Sequence, residues 1–508
     1  MALFFNEDPN HFIFSRSIAN IDVGEKEIFD FIDKYKDTAV TDFMICVNGR
    51  TAWYDSDYSS VLQTYDRFIA EGRDLSECNQ NMLKAIELLD RIYRRKKLPM
   101  ISMWINRLRE IGINPWISFR MNDIHDSDDR NGLLHSELFL KHPEYLRGSH
   151  HRKYGMGYYD YAEDFFEPEV YNDAITRITH GLNDFDIYGI ELDWMREPFT
   201  VRIGREHEAI ELLTGFMKEV RALADRKEKE RGHRIKIAVR VPSSPEKALR
   251  MGFDVSEWSE KGYVDVVSVC PRWSSTDNDM PLELWQRLLR HTGVTLAGGL
   301  EILYDCYNRR PGREYLMQNL YTSAGSAASV YAQGVDNVYL FNFMDTLVTD
   351  TADSLYLFSD VYFYRELLNT LGDKEKCFAA TRRCVHTNED ISAVGVPLKG
   401  MLPFYTSYDN TEFAALRFPV GKIAKEKKIM FVLGVDKGEH YESDFAVFCN
   451  SVPCKLYGKN NFIPAYKDKN DYYLFGIENR PDMPEILTVE VKAAFRSFTI
   501  HWAEIDIE

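Results

Sequence analysis

Apolar and polar positions fall into a regular alternation of short strand-like runs and amphipathic helices over the first 370 or so residues. Eight runs have the strand pattern: HFIFSRSI (11–18), TDFMICVN (41–48), NPWISFRMND (114–123), IYGIELDW (187–194), RIKIAVRVP (234–242), YVDVVSVCP (263–271), VTLAGGLEIL (294–303) and NVYLFNF (337–343). Between them QNMLKAIELLDRIYRRKK, EHEAIELLTGFMKEVRALADRKEKE and LELWQRLLRHT place apolar residues at helical spacing. TSAGSAASVYAQG is rich in small residues and predicts a helix packed closely on a sheet. Eight βα units in series predict a closed (β/α)8 barrel rather than an open doubly wound sheet. After about residue 375 the helical period disappears. FAALRFPV, KKIMFVLGV, DFAVFCN, YYLFGI, ILTVEVKA and SFTIHWAEI alternate with turn signals and predict an all-β, sandwich-like module. The expected division is a barrel over 1–375 and a β domain over 376–508.

Alternation also assigns faces within each strand. In IYGIELDW the residues Tyr188, Ile190, Leu192 and Trp194 share one face, and Ile187, Gly189, Glu191 and Asp193 share the other. The first face suits packing under helices. The second points into the barrel and ends in carboxylates at the C-terminal mouth, where barrel active sites lie. The same alternation groups Ser118 with Arg120 and Asn122, Ala238 with Arg240, and Ala297 with Gly299 and Glu301; Asn342 sits between Phe341 and Phe343. Arg120, Asn122, Glu191, Asp193, Arg240, Glu301 and Asn342 are thus expected to converge on one cavity. About 65 residues separate the third strand from the fourth, and loops of that length are usually functional or disordered. This one is rich in His, Tyr and Asp, and is expected to form an ordered wall over the mouth.

Carboxylates, arginines, amides and aromatic rings in one mouth suit a sugar. Hydroxyl groups bind the polar side chains and ring faces stack on Trp or Tyr. Glycosidic cleavage needs one carboxyl group as acid and a second as nucleophile or base. Asp193 is assigned as nucleophile or base and Glu301 as acid, with Glu191 in reserve. Arg120, Asn122, Asp123, His125, Trp194, Arg196, Arg240, Trp273 and Asn342 are the candidate binding or charge-tuning residues, Trp273 being the expected stacking ring. Composition narrows the partners. The chain has 508 residues and a formal charge of −17, which argues against nucleic acid, since phosphate binding needs a basic surface. No apolar run approaches a membrane span, no leader pattern opens the chain, and the eight cysteines form no CxxC pair, so the expected setting is cytoplasmic. No GxGxxG or GxxxxGK[ST] follows a strand, and no cofactor is expected.

PWISFRMNDIHD, GYYDYAEDFFEPEV, YGIELDWMREP, RVPSSPEKALRMGFDVSEW, VSVCPRWSSTDNDMP, GGLEIL and VYLFNF together resemble bacterial glycoside-hydrolase-like (β/α)8 barrel proteins of the family 10 glycosylhydrolase-like group. The resemblance runs over roughly residues 10–370. It implies a sugar-directed hydrolase and leaves the substrate open. In one large group of barrel glycosidases the acid follows an Asn-Glu pair on strand four and a Glu nucleophile stands on strand seven. Here strand seven carries Glu301, whereas strand four reads Glu-Leu-Asp. In other groups a strand-four Asp is the nucleophile, which is the role Asp193 takes.

Two rivals stay open. Glu191, Asp193, His125 and Glu301 are ligand types that a metal-dependent sugar isomerase or epimerase would use, although Arg120 and Arg240 beside them oppose a cation. A non-catalytic carbohydrate-binding barrel is the other, because fold alone does not establish activity. The β module is expected to brace the barrel, with sugar binding and a dimer contact as alternatives.

Overall fold

The computed structural model describes residues 1–127, 129, 132–148, 157–272, 275–304, 316–344, 363–388, 391–397, 400–409, 413–460 and 470–508. Eight parallel strands close into a barrel: β1 (Leu3–Glu7), β2 (Asp42–Asn48), β3 (Asn114–Arg120), β4 (Gly189–Asp193), β5 (Lys236–Pro242), β6 (Val266–Cys270), β7 (Thr295–Glu301) and β8 (Val338–Phe341). The ring runs β1-β8-β7-β6-β5-β4-β3-β2, each strand beside its sequence neighbour and β8 closing on β1. This is the (β/α)8 barrel the alternation predicted. No helix among the described residues is long and apolar enough to cross a membrane.

The first strand differs from the expectation. Residues 11–18 belong to a helix, Pro9–Ile18, and the strand lies just upstream at Leu3–Glu7. Asp8 caps the helix by accepting from the Asn10 N–H at 3.0 Å, and Pro9 opens it with a φ already suited to the first turn. The apolar cluster Phe12-Ile13-Phe14 fits either period, and the Asp-Pro pair decides it.

The barrel interior has an apolar floor. Phe4, Met44, Trp116, Ala238, Val266, Ala297 and Tyr339 pack together there, contributed by every strand except β4, and the same cluster extends to Phe341, which pairs with Glu301. That strand gives Gly189 instead, and a Cβ at this position would meet the Trp116 ring at 2.3 Å and the Lys236 carbonyl at 2.8 Å. The Trp116 indole therefore fills the space of a missing side chain and donates its N–H to Asp42 at 2.9 Å. Trp116 is core, not a sugar-stacking ring.

Beyond the barrel two antiparallel sheets face each other across a shared apolar core. One has the order Arg382–Val385, Phe498–Ile507, Ile429–Asp436, Asn470–Ile477 and Lys455–Asn460, with Phe404–Thr406 added on Phe498–Ile507; the other is Ala414–Pro419, Ile486–Ala493, Phe445–Cys449 and Val452–Pro453. The small-residue helix Leu320–Ala332 packs against this module as well as the barrel. A Cβ at Gly325 would lie 2.0 Å from the Arg383 carbonyl, while Val330 fills the space beside Gly298 of β7. Glycine is needed at both contacts for close approach rather than for a turn.

The long segment between β3 and β4 carries the short helix Glu137–Lys141, two 3-10 turns (Pro143–Tyr145 and Gly157–Tyr161) and the barrel helix Pro168–Asp184. Its SHH run (149–151) lies outside the described residues. Gly189→Ala tests the floor. Overpacking of a filled core costs about 1–3 kcal/mol, so chemical denaturation should show a loss of about 2 kcal/mol; an unchanged midpoint would mean that Trp116 can move aside.

Candidate active site

The C-terminal ends of the barrel strands hold a buried set of ionisable groups. Register places Asp193 of β4 level with Arg120 of β3 and Arg240 of β5. Arg240 grips Asp193 with two parallel bonds, Nε to Oδ1 and Nη2 to Oδ2, both 2.8 Å. The Met195 backbone N–H adds a third donor to Oδ1 at 3.0 Å. Every one of these contacts is a donor, so Asp193 is held as a carboxylate, and Oδ2 keeps a spare lone pair. The Arg240 guanidinium lies 3.7 Å over the Phe341 ring and points its third nitrogen at the Cys270 sulfur, 3.5 Å away. Burial works against the Arg240 charge, and the Asp193 carboxylate outweighs it. Burial also pushes the Cys270 thiol up to about 12, so it stays protonated at neutral pH and is no nucleophile.

Glu301 ends β7. Its Oε1 accepts from Asn342 Nδ2 at 3.0 Å and from the Ile302 N–H at 3.2 Å. Its Oε2 is buried and has no hydrogen-bond partner among the described residues. Burial pushes this carboxyl well above the ordinary range, against the Asn342 bond and the nearby charges of Arg240 and Arg196. Glu191 lies one layer deeper on β4, level with Ser118 and Ala238. Its Oε2 accepts from Asn6 Nδ2 of β1 at 3.2 Å. Burial, reinforced by the Asp193 charge, pushes Glu191 up to about 7. The mouth therefore combines one clamped carboxylate with two carboxyl groups whose burial favours the protonated form.

A second string of polar groups follows the rim. Arg120 bonds Asp8 and also Asp123, the latter at 3.1 Å. Asp123 Oδ1 accepts from the His125 backbone N–H at 2.9 Å and contacts His125 Nδ1 at 2.8 Å. Arg196 Nη2 lies 2.7 Å from His125 Nε2. Arginine can only donate, so Nε2 is the acceptor and Nδ1 carries the hydrogen bonded to Asp123. Deeper in the loops Arg272 and Glu197 form a buried two-bond pair at 2.8 and 2.9 Å.

Inward-facing Arg120, Glu191, Asp193, Arg240 and Glu301 come together, with Asn342 joined to them through Glu301. Asp123, His125 and Arg196 line the rim beside Arg120. Two expectations need correcting. Asn122 is not free to bind a ligand. Strand β3 ends at Arg120, and the Asn122 amide donates to the Glu163 and Phe199 carbonyls at 2.9 and 3.1 Å while accepting from the Glu163 N–H. It pins the long loop to the mouth. Trp194 is fully buried on the outer side of β4 among Phe165, Phe216, Phe253 and Trp258, so it does not reach a ligand. Its own face in the alternation had pointed that way. Tyr304 packs with Val385, Val432, Tyr472 and Trp502 of the β module. Trp273 lies outside the described residues. Asn6, Asp8, Glu197 and Arg272 were missed. The first two follow from misplacing β1, and the Asp8-Pro9 pair is the signal that would have located them.

Among the described residues no group of three or more His, Cys, Asp or Glu side chains is arranged to hold a metal ion. No protein-family model and no curated protein matches the chain. Solved structures with a similar course include an α-amylase from Lactobacillus plantarum (9% identity over 96% of this chain and 98% of that one, TM-score 0.37). Others are the PgaB (BpsB) glycoside hydrolase domain from Bordetella bronchiseptica (11%, 72% and 98%, TM-score 0.41) and a glycoside hydrolase family 18 N-acetylglucosaminidase from Paenibacillus barengoltzii (10%, 70% and 98%, TM-score 0.34). Likeness at these scores carries no argument about chemistry, and the fold rests on this chain's own strand pairing.

Glu191 makes the site's electrostatics measurable without a substrate. Folded, it holds a proton up to about pH 7 that the unfolded chain releases above its ordinary value of 4.5. The stability this proton contributes is complete below pH 4.5 and is lost as pH rises through 7. Glu191→Gln removes that dependence. Its stability relative to the parent should rise between those two pH values and then level off, by at most about 3 kcal/mol at ~1.4 kcal/mol per pKa unit. A difference independent of pH in thermal melts would show that Glu191 titrates normally.

Proposed function

We propose that the protein is a glycoside hydrolase acting on a small oligosaccharide or glycoside at the barrel mouth. The observation that carries this reading is the pairing, in one mouth, of an Arg240-clamped Asp193 carboxylate with a buried Glu301 whose burial favours the protonated form and which has one oxygen unengaged among the described residues. Glycosidic cleavage calls for these two states together. Glu301 gives its proton to the leaving oxygen. Asp193 uses the spare lone pair of Oδ2 to attack the anomeric carbon or to activate water. Arg240 keeps Asp193 charged and aimed. Glu191 supports the pair from below, tied to Asn6. Arg120, Asp123, His125 and Arg196 form the rim that receives sugar hydroxyls, and Trp273 remains the proposed stacking ring. Membership of the family 10 glycosylhydrolase-like group, a cytoplasmic location and a boundary between residues 375 and 376 belong to the same proposal. The β module braces the barrel in this reading, as the close approach of Gly325 to the Arg383 carbonyl supports.

A panel of aryl glycosides and short oligosaccharides tests the reading. Glu301→Gln should lower turnover of unactivated substrates by about 10²–10⁴-fold, the usual worth of a general acid. It should spare substrates whose leaving group needs no proton. Asp193→Ala should lower turnover of both kinds. Unchanged rates in both variants would refute the proposal. Full activity in excess chelator is expected; loss restored by Mn²⁺ or Mg²⁺ would favour the isomerase rival instead, and sugar binding without turnover, unaffected by Asp193→Asn, would favour a binding protein.

A further inference from the structure

We propose that Asn342 is a positioning residue for Glu301: together with the Ile302 backbone N–H it occupies Oε1, makes that oxygen the carbonyl acceptor, and so places the proton on Oε2. Its catalytic use rests on the hydrolase reading above; the proton placement does not.

The two donors converge on one oxygen, Asn342 Nδ2 at 3.0 Å and Ile302 N at 3.2 Å, while Oε2 is buried without a partner among the described residues. A neutral carboxyl group has one acceptor oxygen and one O–H. With N–H hydrogens already directed at Oε1, a hydrogen on that oxygen would face two donors; on Oε2 it faces none among the described residues. Rotating the carboxyl by half a turn recreates the same arrangement with the labels exchanged, so the site selects a position for the proton rather than a named atom.

The rest of Glu301 cannot drift. Its N–H donates to Thr276 Oγ at 2.9 Å, and its carbonyl accepts from Thr276 Oγ at 2.6 Å and Gln318 Nε2 at 2.9 Å. Asn342 can reach because of its backbone. It follows Phe341, the β8 residue paired with Glu301, and turns with φ +61°, a left-handed value that Asn tolerates better than most residues. The charged groups acting on Glu301 are Arg240 from β5 and Arg196 from the loop after β4, both cationic. They favour the anion, and burial outweighs them. In the reaction the bond between the anomeric carbon and the leaving oxygen breaks with its electron pair passing to that oxygen. The oxygen takes the Oε2 proton, and the O–H electrons stay on Glu301. The resulting carboxylate finds Asn342, the Ile302 N–H and two cations already in place, so the same donors that place the proton ease its departure.

Infrared difference spectra of the full chain across a pH titration read this directly, without substrate. The parent should show a protonated-carboxyl carbonyl band at neutral pH that Glu301→Gln lacks. Asn342→Gly keeps the left-handed turn and removes one donor from Oε1; the band should move to higher frequency and persist to higher pH, because the lost bond favoured the anion. Asn342→Asp, a second variant suited to this turn, should also retain the band to higher pH, since a new negative charge opposes ionisation. Absence of a Glu301-dependent band would overturn the proposal, as would a band that neither variant shifts in folded protein. If the shifts appear and no glycoside is turned over, the proton placement stands and the hydrolase reading falls. If Glu301-dependent turnover appears while the band stays put, the hydrolase reading stands and Asn342 is only structural.

Discussion

The Arg240–Asp193 ion pair is the interaction on which the mouth depends. Both partners are about 1% exposed, and removing one member of such a pair leaves a buried charge at a cost of about 3–5 kcal/mol. The pair joins β4 to β5 in register, and the guanidinium also reaches Cys270 of β6 and the Phe341 ring of β8. One side chain therefore ties four strands around the site. It does so in a place where water cannot screen it, which is why its charge is felt by Glu191 and Glu301.

The barrel is stacked by polarity. An apolar floor built around Trp116 closes the bottom, with Gly189 making room for the indole. Glu191 stands above it, neutral through most of the acid range and tethered by Asn6. The layer at the mouth holds Asp193, gripped by Arg240, and Glu301, whose burial favours its protonated form. The three carboxyl groups have different surroundings. Asp193 has a bidentate arginine, Glu191 has one amide and lies near the charges of both Asp193 and Arg240, and Glu301 has two neutral donors on a single oxygen. Two acids in opposite states on one surface are what acid-assisted substitution at a sugar carbon uses. The long segment after β3 is tied back to the end of that strand through Asn122, which bonds the Glu163 backbone in both directions.

The architecture was readable from period alone, since seven of the eight strands fall within the runs marked by alternation. So was the inward face: Arg120, Glu191, Asp193, Arg240 and Glu301 point where a two-residue period puts them. The rule failed where strands ended. Asn122 lies past the end of β3, and its amide serves backbone groups of the loop instead of a cavity. Trp194 shares the outer face with Ile190 and Leu192 and packs accordingly, away from the mouth. The first strand was lost because Phe12-Ile13-Phe14 suits a helix as well as a strand, and with it went Asn6 and Asp8, the partners of Glu191 and Arg120. What sets the proton affinity of each carboxyl lies outside any one-dimensional reading. That depends on burial and on partners brought from other strands.

Chemical rescue of Asp193→Ala by azide, with the product analysed by NMR, is the most direct measurement of the central claim that Asp193 faces the anomeric carbon across from Glu301. Azide should fill the vacated space and restore turnover of an activated glycoside, giving a glycosyl azide of inverted anomeric configuration. An Asp193→Ala protein as active as the parent, or a folded one whose lost activity azide does not restore on that substrate, would contradict this placement of Asp193.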